Sequence, residues 1–320
     1  MRPAPLARAV AVAAALIVAL AGCSAPLSWP GGPRGPASLP AGLVPPGPGL
    51  PVGVYEPGFP QTAMPLRSFR AATGVRPRLA VYYSGWNERF QASFAAAARA
   101  SGAVPVIQVQ PDDVSLASIA GGRWDPYLTA YARAVRAYGQ PVIVSFGHEM
   151  NGDWYSWGNG HESPAAFVAA WRHVVATFRA AGAGNVTWLW TVSSVIEAGK
   201  SAWLGQWWPG DQWVGMVGLD GYYYRAGDTF GSVFGQTLAE VRQFTNAPAV
   251  IAEVGVGPNA SRARQVTALV AGARAAGIGA LVWFDIAQHD GVYHQDWRLA
   301  DDPAARDAFR AAMSVSLEPG

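Results

Sequence analysis

Cysteine and lysine are almost absent: Cys23 and Lys200 are the single examples in 320 residues. One cysteine excludes a disulfide within the chain and a thiolate metal cluster. Charge is sparse too, at 14% of residues, and the net value of +2 rests on Arg2 and Arg8, without which the chain is formally neutral. No lysine and arginine stripe remains for nucleic-acid phosphates. The apolar run from Ala9 to Ala21 is too short to cross a bilayer as a permanent helix. No Gly-rich phosphate loop follows the first candidate strand, which weakens a nucleotide-binding open sheet.

What is present divides into three segments. Residues 1–22 carry Arg2, Arg8 and the apolar run, the pattern of a signal peptide. The stretch Leu20-Ala21-Gly22-Cys23 resembles the lipobox of bacterial lipoproteins, which implies cleavage before Cys23 and a diacylglyceryl group on its sulfur. An ordinary signal peptide with an incidental cysteine is the alternative. Residues 23–51 follow, with 9 prolines and 6 glycines among the 28 residues Ser24–Pro51. Such a composition favours extended, semi-rigid chain and reads as a tether. Residues 52–320 form the third segment, expected to sit as a monomer on the outer face of the cell membrane, held by lipid at Cys23.

The third segment alternates short apolar strands with alanine-rich helical stretches. Candidate strands are Val52–Tyr55, Leu79–Tyr83, Val104–Val109, Val142–Phe146, Val186–Val192, Met216–Leu219, Ala249–Ala252 and Ala280–Phe284. Near-continuous apolar runs suit parallel strands buried on both faces. Phe90–Ala100, Tyr127–Tyr138, Pro164–Ala181 and Arg262–Ala276 have helical spacing, and Gly102, Gly139, Gly182 and Gly277 stand just past their ends. The expectation is an α/β chain folded as a (β/α)8 TIM barrel, which takes about 250 residues. A doubly wound open sheet is the runner-up.

Catalytic groups of such a barrel lie at the C-terminal ends of its strands. The fourth and seventh strands run into Glu149 and Glu253, on opposite sides of the expected mouth. Paired carboxyl groups flanking a glycosidic bond can supply a nucleophile and a proton donor. The alternative is that one or both form structural ion pairs. The run His148-Glu149-Met150-Asn151-Gly152-Asp153-Trp154-Tyr155-Ser156-Trp157-Gly158 sets three aromatics behind one acid. Aromatic rings stack on the C–H faces of sugars, and amides or carboxylates bind their hydroxyls. Zinc on this His-Glu pair would need a second histidine where Gly152 stands. No metal and no organic cofactor is expected.

The His-Glu-Met-Asn-Gly run, together with Ile251-Ala-Glu-Val-Gly255, resembles glycoside hydrolase family 26. The resemblance implies a retaining (β/α)8 enzyme acting on a β-linked polysaccharide: β-1,4-mannan, mixed-linkage β-1,3-1,4-glucan or β-1,3-xylan. It makes Glu149 the acid/base and Glu253 the nucleophile, with His148 preceding the acid/base. It also implies subsite roles for Trp154, for Asp220 and Tyr222 after strand 6, and for Trp283 as a sugar platform. Ser145, Phe284 and Gln110 depart from the mannanase pattern, which leans the substrate towards glucan.

Other residues carry weaker expectations. Asn151 and Trp157 are read as further sugar contacts, and Tyr82 and Trp86 as subsite candidates on the catalytic face. His173 reads as a satisfied helix-face histidine, and His161, His289 and His294 as loop residues. Trp203, Trp207, Trp208 and Trp213 suit either the packing of a long loop or a sugar-binding wall. A non-catalytic carbohydrate-binding lipoprotein is the competing class, which would keep the tryptophans without needing both glutamates.

Overall fold

The computed structural model describes residues 39–44, 49–194, 203–288 and 295–314. Cys23, His289 and His294 lie outside the described residues. Eight parallel strands close into one barrel in sequence order: β1 Val52–Tyr55, β2 Leu79–Gly85, β3 Val104–Gln110, β4 Val142–Phe146, β5 Val186–Ser193, β6 Met216–Tyr223, β7 Ala249–Val256 and β8 Leu281–Phe284. Around them run α1 Met64–Thr73, α2 Ala92–Ala100, α3 Leu116–Ala120, α4 Asp125–Tyr138, α5 Pro164–Ala180, α6 Gln236–Val241, α7 Arg262–Ala275 and α8 Pro303–Ser314. The barrel expected from the sequence is present, and the open sheet is ruled out by β1 pairing with β8.

Local chemistry accounts for the helix ends. Ser163 accepts a hydrogen bond from the Ala166 amide, and Pro164 opens α5 where no amide hydrogen is needed. Gly139, past α4, has φ +69, a left-handed conformation in which a side chain would clash. Gly102, Gly182 and Gly277 also take positive φ at the expected places.

Strand alternation sorts the side chains into two cores. Leu79, Val81, Val104, Val106, Ile143 and Val282 point into the lumen and form its apolar floor. Leu43 is buried in the same floor, so residues of the expected tether close the barrel from below. Outward-facing residues such as Val54, Tyr82, Val144 and Trp283 meet the helices. Several strands run past the expected ends. β6 continues through Tyr223 and β7 through Val256, because ladder pairing goes on beneath polar side chains.

The register of β7 contains the irregularity that matters most. Leu219 pairs with Ile251, but Asp220 pairs with Glu253, leaving Ala252 as an extra residue. Val250 and Ala252 face the lumen, so strict alternation would turn Glu253 towards the helices. The bulge resets the phase and returns Glu253 to the lumen.

Candidate active site

Above the apolar floor, Gln108, Ser145 and Thr191 form a buried polar layer, with Ser145 and Thr191 hydroxyls 3.2 Å apart. The carboxylates stand above it. Glu149 lies three residues past β4 in a tight turn, with φ +53 after Gly147 at +56. A left-handed glutamate costs on the order of 1–3 kcal/mol, and persists only where its surroundings fix it. Here the Glu149 amide donates to the Thr191 carbonyl at 2.9 Å. The Trp157 indole donates to the His148 carbonyl at 2.8 Å. Asn151 exchanges two hydrogen bonds with the Ser193 backbone, at 2.8 and 2.9 Å.

Those bonds correct two expectations. The Asn151 side chain is committed to Ser193 and positions the turn. Trp157 is buried, stacked on Tyr155 at 4.4 Å, so it braces the turn from behind and offers no face to a sugar.

Glu149 is partly buried, and its Oε2 accepts a hydrogen bond from the Trp154 indole at 2.8 Å. Burial and the nearby Glu253 charge push its carboxyl up to about 8, against the pull of hydrogen bonds from Trp154 and Ser193. Glu253 is buried, and burial raises it. Two phenols oppose that: Tyr222 donates to its Oε2 at 2.6 Å, and Tyr83 donates to its Oε1. Glu149 therefore holds a proton at neutral pH while hydrogen-bond donors stabilise the charge on Glu253.

His148 does not touch either carboxylate. Its Nε2 meets the Tyr155 hydroxyl at 3.1 Å, and burial lowers its pKa to about 3, so the ring is neutral. Asp220 is wholly buried next to Glu253, and neither carboxylate oxygen meets a donor among the described residues. Burial, then Glu253 and Glu149, hold it well above the carboxylate range. A neutral acid there is a hydrogen-bond donor facing the site.

Three aromatic expectations fail by strand parity. Tyr82 is fully buried on the helix side of β2 against Phe94, and its neighbour Tyr83 points into the lumen. Trp86 is packed among Trp124, Tyr127 and Phe146. Trp283 faces Phe309 of α8 and donates its indole hydrogen to the Trp297 carbonyl, so it is a core residue and not a sugar platform. Phe284, one residue on, enters the lumen and stacks on Tyr55 at 4.5 Å. Trp297 packs on Tyr222 at 4.9 Å. Tyr83 and Tyr55 are not singled out by the sequence, although Leu79 and Val81 set the phase that places Tyr83.

The remaining residues are accounted for more simply. His173 Nε2 lies 2.6 Å from Asp125 on α4, and His161 reaches the Asp153 carbonyl. Trp207 and Trp208 pack against Phe167, Trp190 and Phe244, while Arg179 lies over Trp213. Loop packing explains these three, and Trp203 alone is half exposed. No cluster of three or more potential metal ligands occurs among the described residues.

The phenols give a first prediction. Tyr222→Phe and Tyr83→Phe each remove a donor to charged Glu253, a bond worth about 1.5–3 kcal/mol. Each is expected to cost roughly 10- to 100-fold in kcat/KM near neutral pH, with the acid limb of the profile moved upward. A profile of kcat/KM against pH checks both.

A second carboxyl pair closes the seam between β1 and β8. The Asp285 amide donates to the Tyr55 carbonyl, and Asp285 Oδ1 accepts from the Leu299 amide at 2.8 Å. Glu56 shares a hydrogen bond with Asp285, and burial plus the Asp285 charge push Glu56 up to about 9 from 4.5. A raised folded-state pKa stabilises the fold below the unfolded value and loses that contribution as pH rises to about 9. Glu56→Gln keeps a donor without the titration, so its Tm should fall less than wild type as pH rises from 4.5 to about 9. Calorimetry across that range checks it.

A matched sequence family shows where the chain belongs. The family model described as Glycosyl hydrolase family 26 matches residues 126–313, more than half of the chain and inclusive of Glu149 and Glu253. The chain belongs to glycosyl hydrolase family 26. Endoglucanase H of Acetivibrio thermocellus is 30% identical over 284 residues, covering 83% of this chain and 31% of that protein. The chain thus spans about a third of that curated relative. Among solved structures, the modular endo-β-1,4-mannanase of Cellulomonas fimi shares the fold with a TM-score of 0.64 and 19% identity, over 83% of this chain and 71% of that one. A family 26 β-mannanase of Bacteroides ovatus gives 0.61 and 15%, over 83% and 88%.

Proposed function

We propose that this family 26 protein is a retaining, endo-acting glycoside hydrolase that cleaves a β-linked polysaccharide by double displacement. The observation that carries the reading is the unequal pair in the mouth: Glu149 bonded to the Trp154 indole with its pKa pushed up by burial and Glu253, and Glu253 held by two phenols, Tyr83 and Tyr222. Glu253 attacks the anomeric carbon, the glycosidic C–O bond breaks, and the Glu149 proton passes to the leaving oxygen. Esterified Glu253 no longer carries charge, so the Glu149 pKa falls. As a carboxylate, Glu149 then takes a proton from water, whose oxygen attacks the anomeric carbon and releases Glu253. Trp154 orients Glu149, and neutral Asp220 is placed to donate to a sugar hydroxyl.

Glucan is favoured over mannan as the substrate. Ser145 is bonded to Thr191 below the site, and Phe284 presents an apolar ring on Tyr55, at positions where the mannanase pattern differs. The endoglucanase relative supports the same direction. We further propose that the mature chain works as a monomer at the outer face of the cell membrane, held by a lipid on Cys23. Loss of lipid labelling in Cys23→Ala would support that anchor, and unchanged labelling would reject it.

The activity is tested by incubating the protein with mixed-linkage β-glucan, β-1,4-mannan and β-1,3-xylan and measuring reducing ends. Release is expected from one of them, fastest from glucan, and absent in Glu149→Gln and Glu253→Gln. Binding without release by wild type would instead favour the non-catalytic reading.

A further inference from the structure

The chain is nearly neutral overall, yet one sector of the fold is rich in exposed arginine. At the mouth, Glu56, Glu88, Asp112 and Glu149 stand in loops after the strands, and Asp220 and Glu253 lie within β6 and β7. At the opposite end, the last turns of α1 and α2, the second half of α8 and the entry to β2 carry Arg70, Arg99, Arg310 and Arg76, all exposed. Arg67, Arg70 and Arg76 line a cleft of about 250 Å³ with Ser101 and no acidic residue.

Several of these guanidinium groups cap helices without being neutralised. Arg76 donates to the Ser101 carbonyl past α2, and Arg310 donates to the Thr73 and Ala72 carbonyls at the end of α1. Their partners are neutral oxygens. Among the described residues, the carboxylate bonded in this sector is Asp307, 3.7 Å from Arg310 and also paired with Arg306. Helix capping explains the position of each arginine. It does not supply a counterion for the sector as a whole.

The N-terminal segment leaves from the same end. Leu43 seals the barrel floor, and Arg78 beside it donates to the Gly49 carbonyl at 3.1 Å. Only residues 24–38 separate Cys23 from Leu39, a reach of at most about 50 Å. A bilayer holding the chain at Cys23 would therefore meet a surface of arginines, whose forked guanidinium groups suit phosphate oxygens.

We propose that the N-terminal face of the barrel, in the sector of α1, α2 and α8, docks on an anionic phospholipid surface. Docking there turns the acidic mouth away from the bilayer, towards the polymer. The inference stands apart from the catalytic reading and from lipidation, because the face is charged whether or not Cys23 carries lipid.

The test uses the chain from position 23 onward with Cys23→Ser, so that no acyl group contributes. Sedimentation is measured with vesicles of phosphatidylcholine alone and of phosphatidylcholine with phosphatidylglycerol at about 30%, the range in which anionic surface potential acts on basic residues. Binding is expected only to the anionic vesicles and is expected to weaken at high salt. The triple variant Arg67→Gln, Arg70→Gln and Arg99→Gln should bind about 100-fold less, since each arginine at such a surface contributes about fivefold. Arg89→Gln with Arg123→Gln, on the mouth side, should bind as wild type. If the triple variant melts early, Arg99→Gln alone should still lose about fivefold. Equal binding to both vesicles, no binding to either, or equal losses in the two variant sets would overturn the proposal.

Discussion

Glu253→Gln is expected to lower kcat on the active β-glycan by on the order of 10⁴-fold, because the proposed glycosyl–enzyme bond forms on its carboxylate. The amide matches the carboxylate in shape and can still accept from Tyr222 or Tyr83. It also removes a buried charge next to Asp220 and Glu149, so the folded state should be at least as stable as wild type. A thermal melt alongside the kinetics separates the two effects: activity lost with Tm unchanged or raised is the expected pair of results. A large fall in Tm would mean that the residue is chiefly structural.

Glu149→Gln is expected to behave differently, and the difference identifies the proton donor. Loss of a general acid costs about 10²–10⁴-fold on a polymer whose leaving group is a sugar alkoxide. An aryl glycoside with an acidic phenol needs no proton to depart, so the first step on that substrate should be nearly spared. The second step still lacks its base, and the glycosyl–enzyme should accumulate with a burst of phenol. The alkaline limb expected of wild type near pH 8, where Glu149 loses its proton, should vanish in the variant. Equal losses on polymer and aryl glycoside would contradict the assignment.

Much of this site could be read from strand ends and motifs, and the failures have a common physical cause. The apolar runs located the eight strands, and the positions of Glu149 and Glu253 after strands 4 and 7 followed from them. Side-chain phase within a strand is harder. Tyr82 and Tyr83, or Trp283 and Phe284, are adjacent aromatics of equal appeal, and a one-residue difference sends them to opposite faces of the sheet. Counting inward residues from Leu79 and Val81 would have chosen Tyr83. Counting along β7 would have failed, because the bulge at Ala252 reverses the phase just before Glu253. Composition cannot show that irregularity.

The aromatic run after Glu149 was read as a set of sugar contacts, and it divides by burial. Trp154 reaches the Glu149 carboxyl, whereas Trp157 and Asn151 hold the left-handed turn that aims it. A position where glutamate must take positive φ needs such support. The motif is therefore as much a scaffold for one carboxyl group as a binding surface. The arginine-rich sector is equally hard to read from sequence, since it appears only when the ends of α1 and α2 gather on one face.

Covalent trapping tests the central claim most directly. A glycoside activated at the anomeric carbon and bearing fluorine at C2 slows both steps, and its good leaving group lets the first proceed. Peptide mass spectrometry of the inactivated protein should place the sugar on Glu253, in the peptide containing Ile251-Ala-Glu-Val-Gly255. A sugar found on Glu149 or Asp220, or inactive polymer-cleaving protein with no adduct at all, would contradict the account.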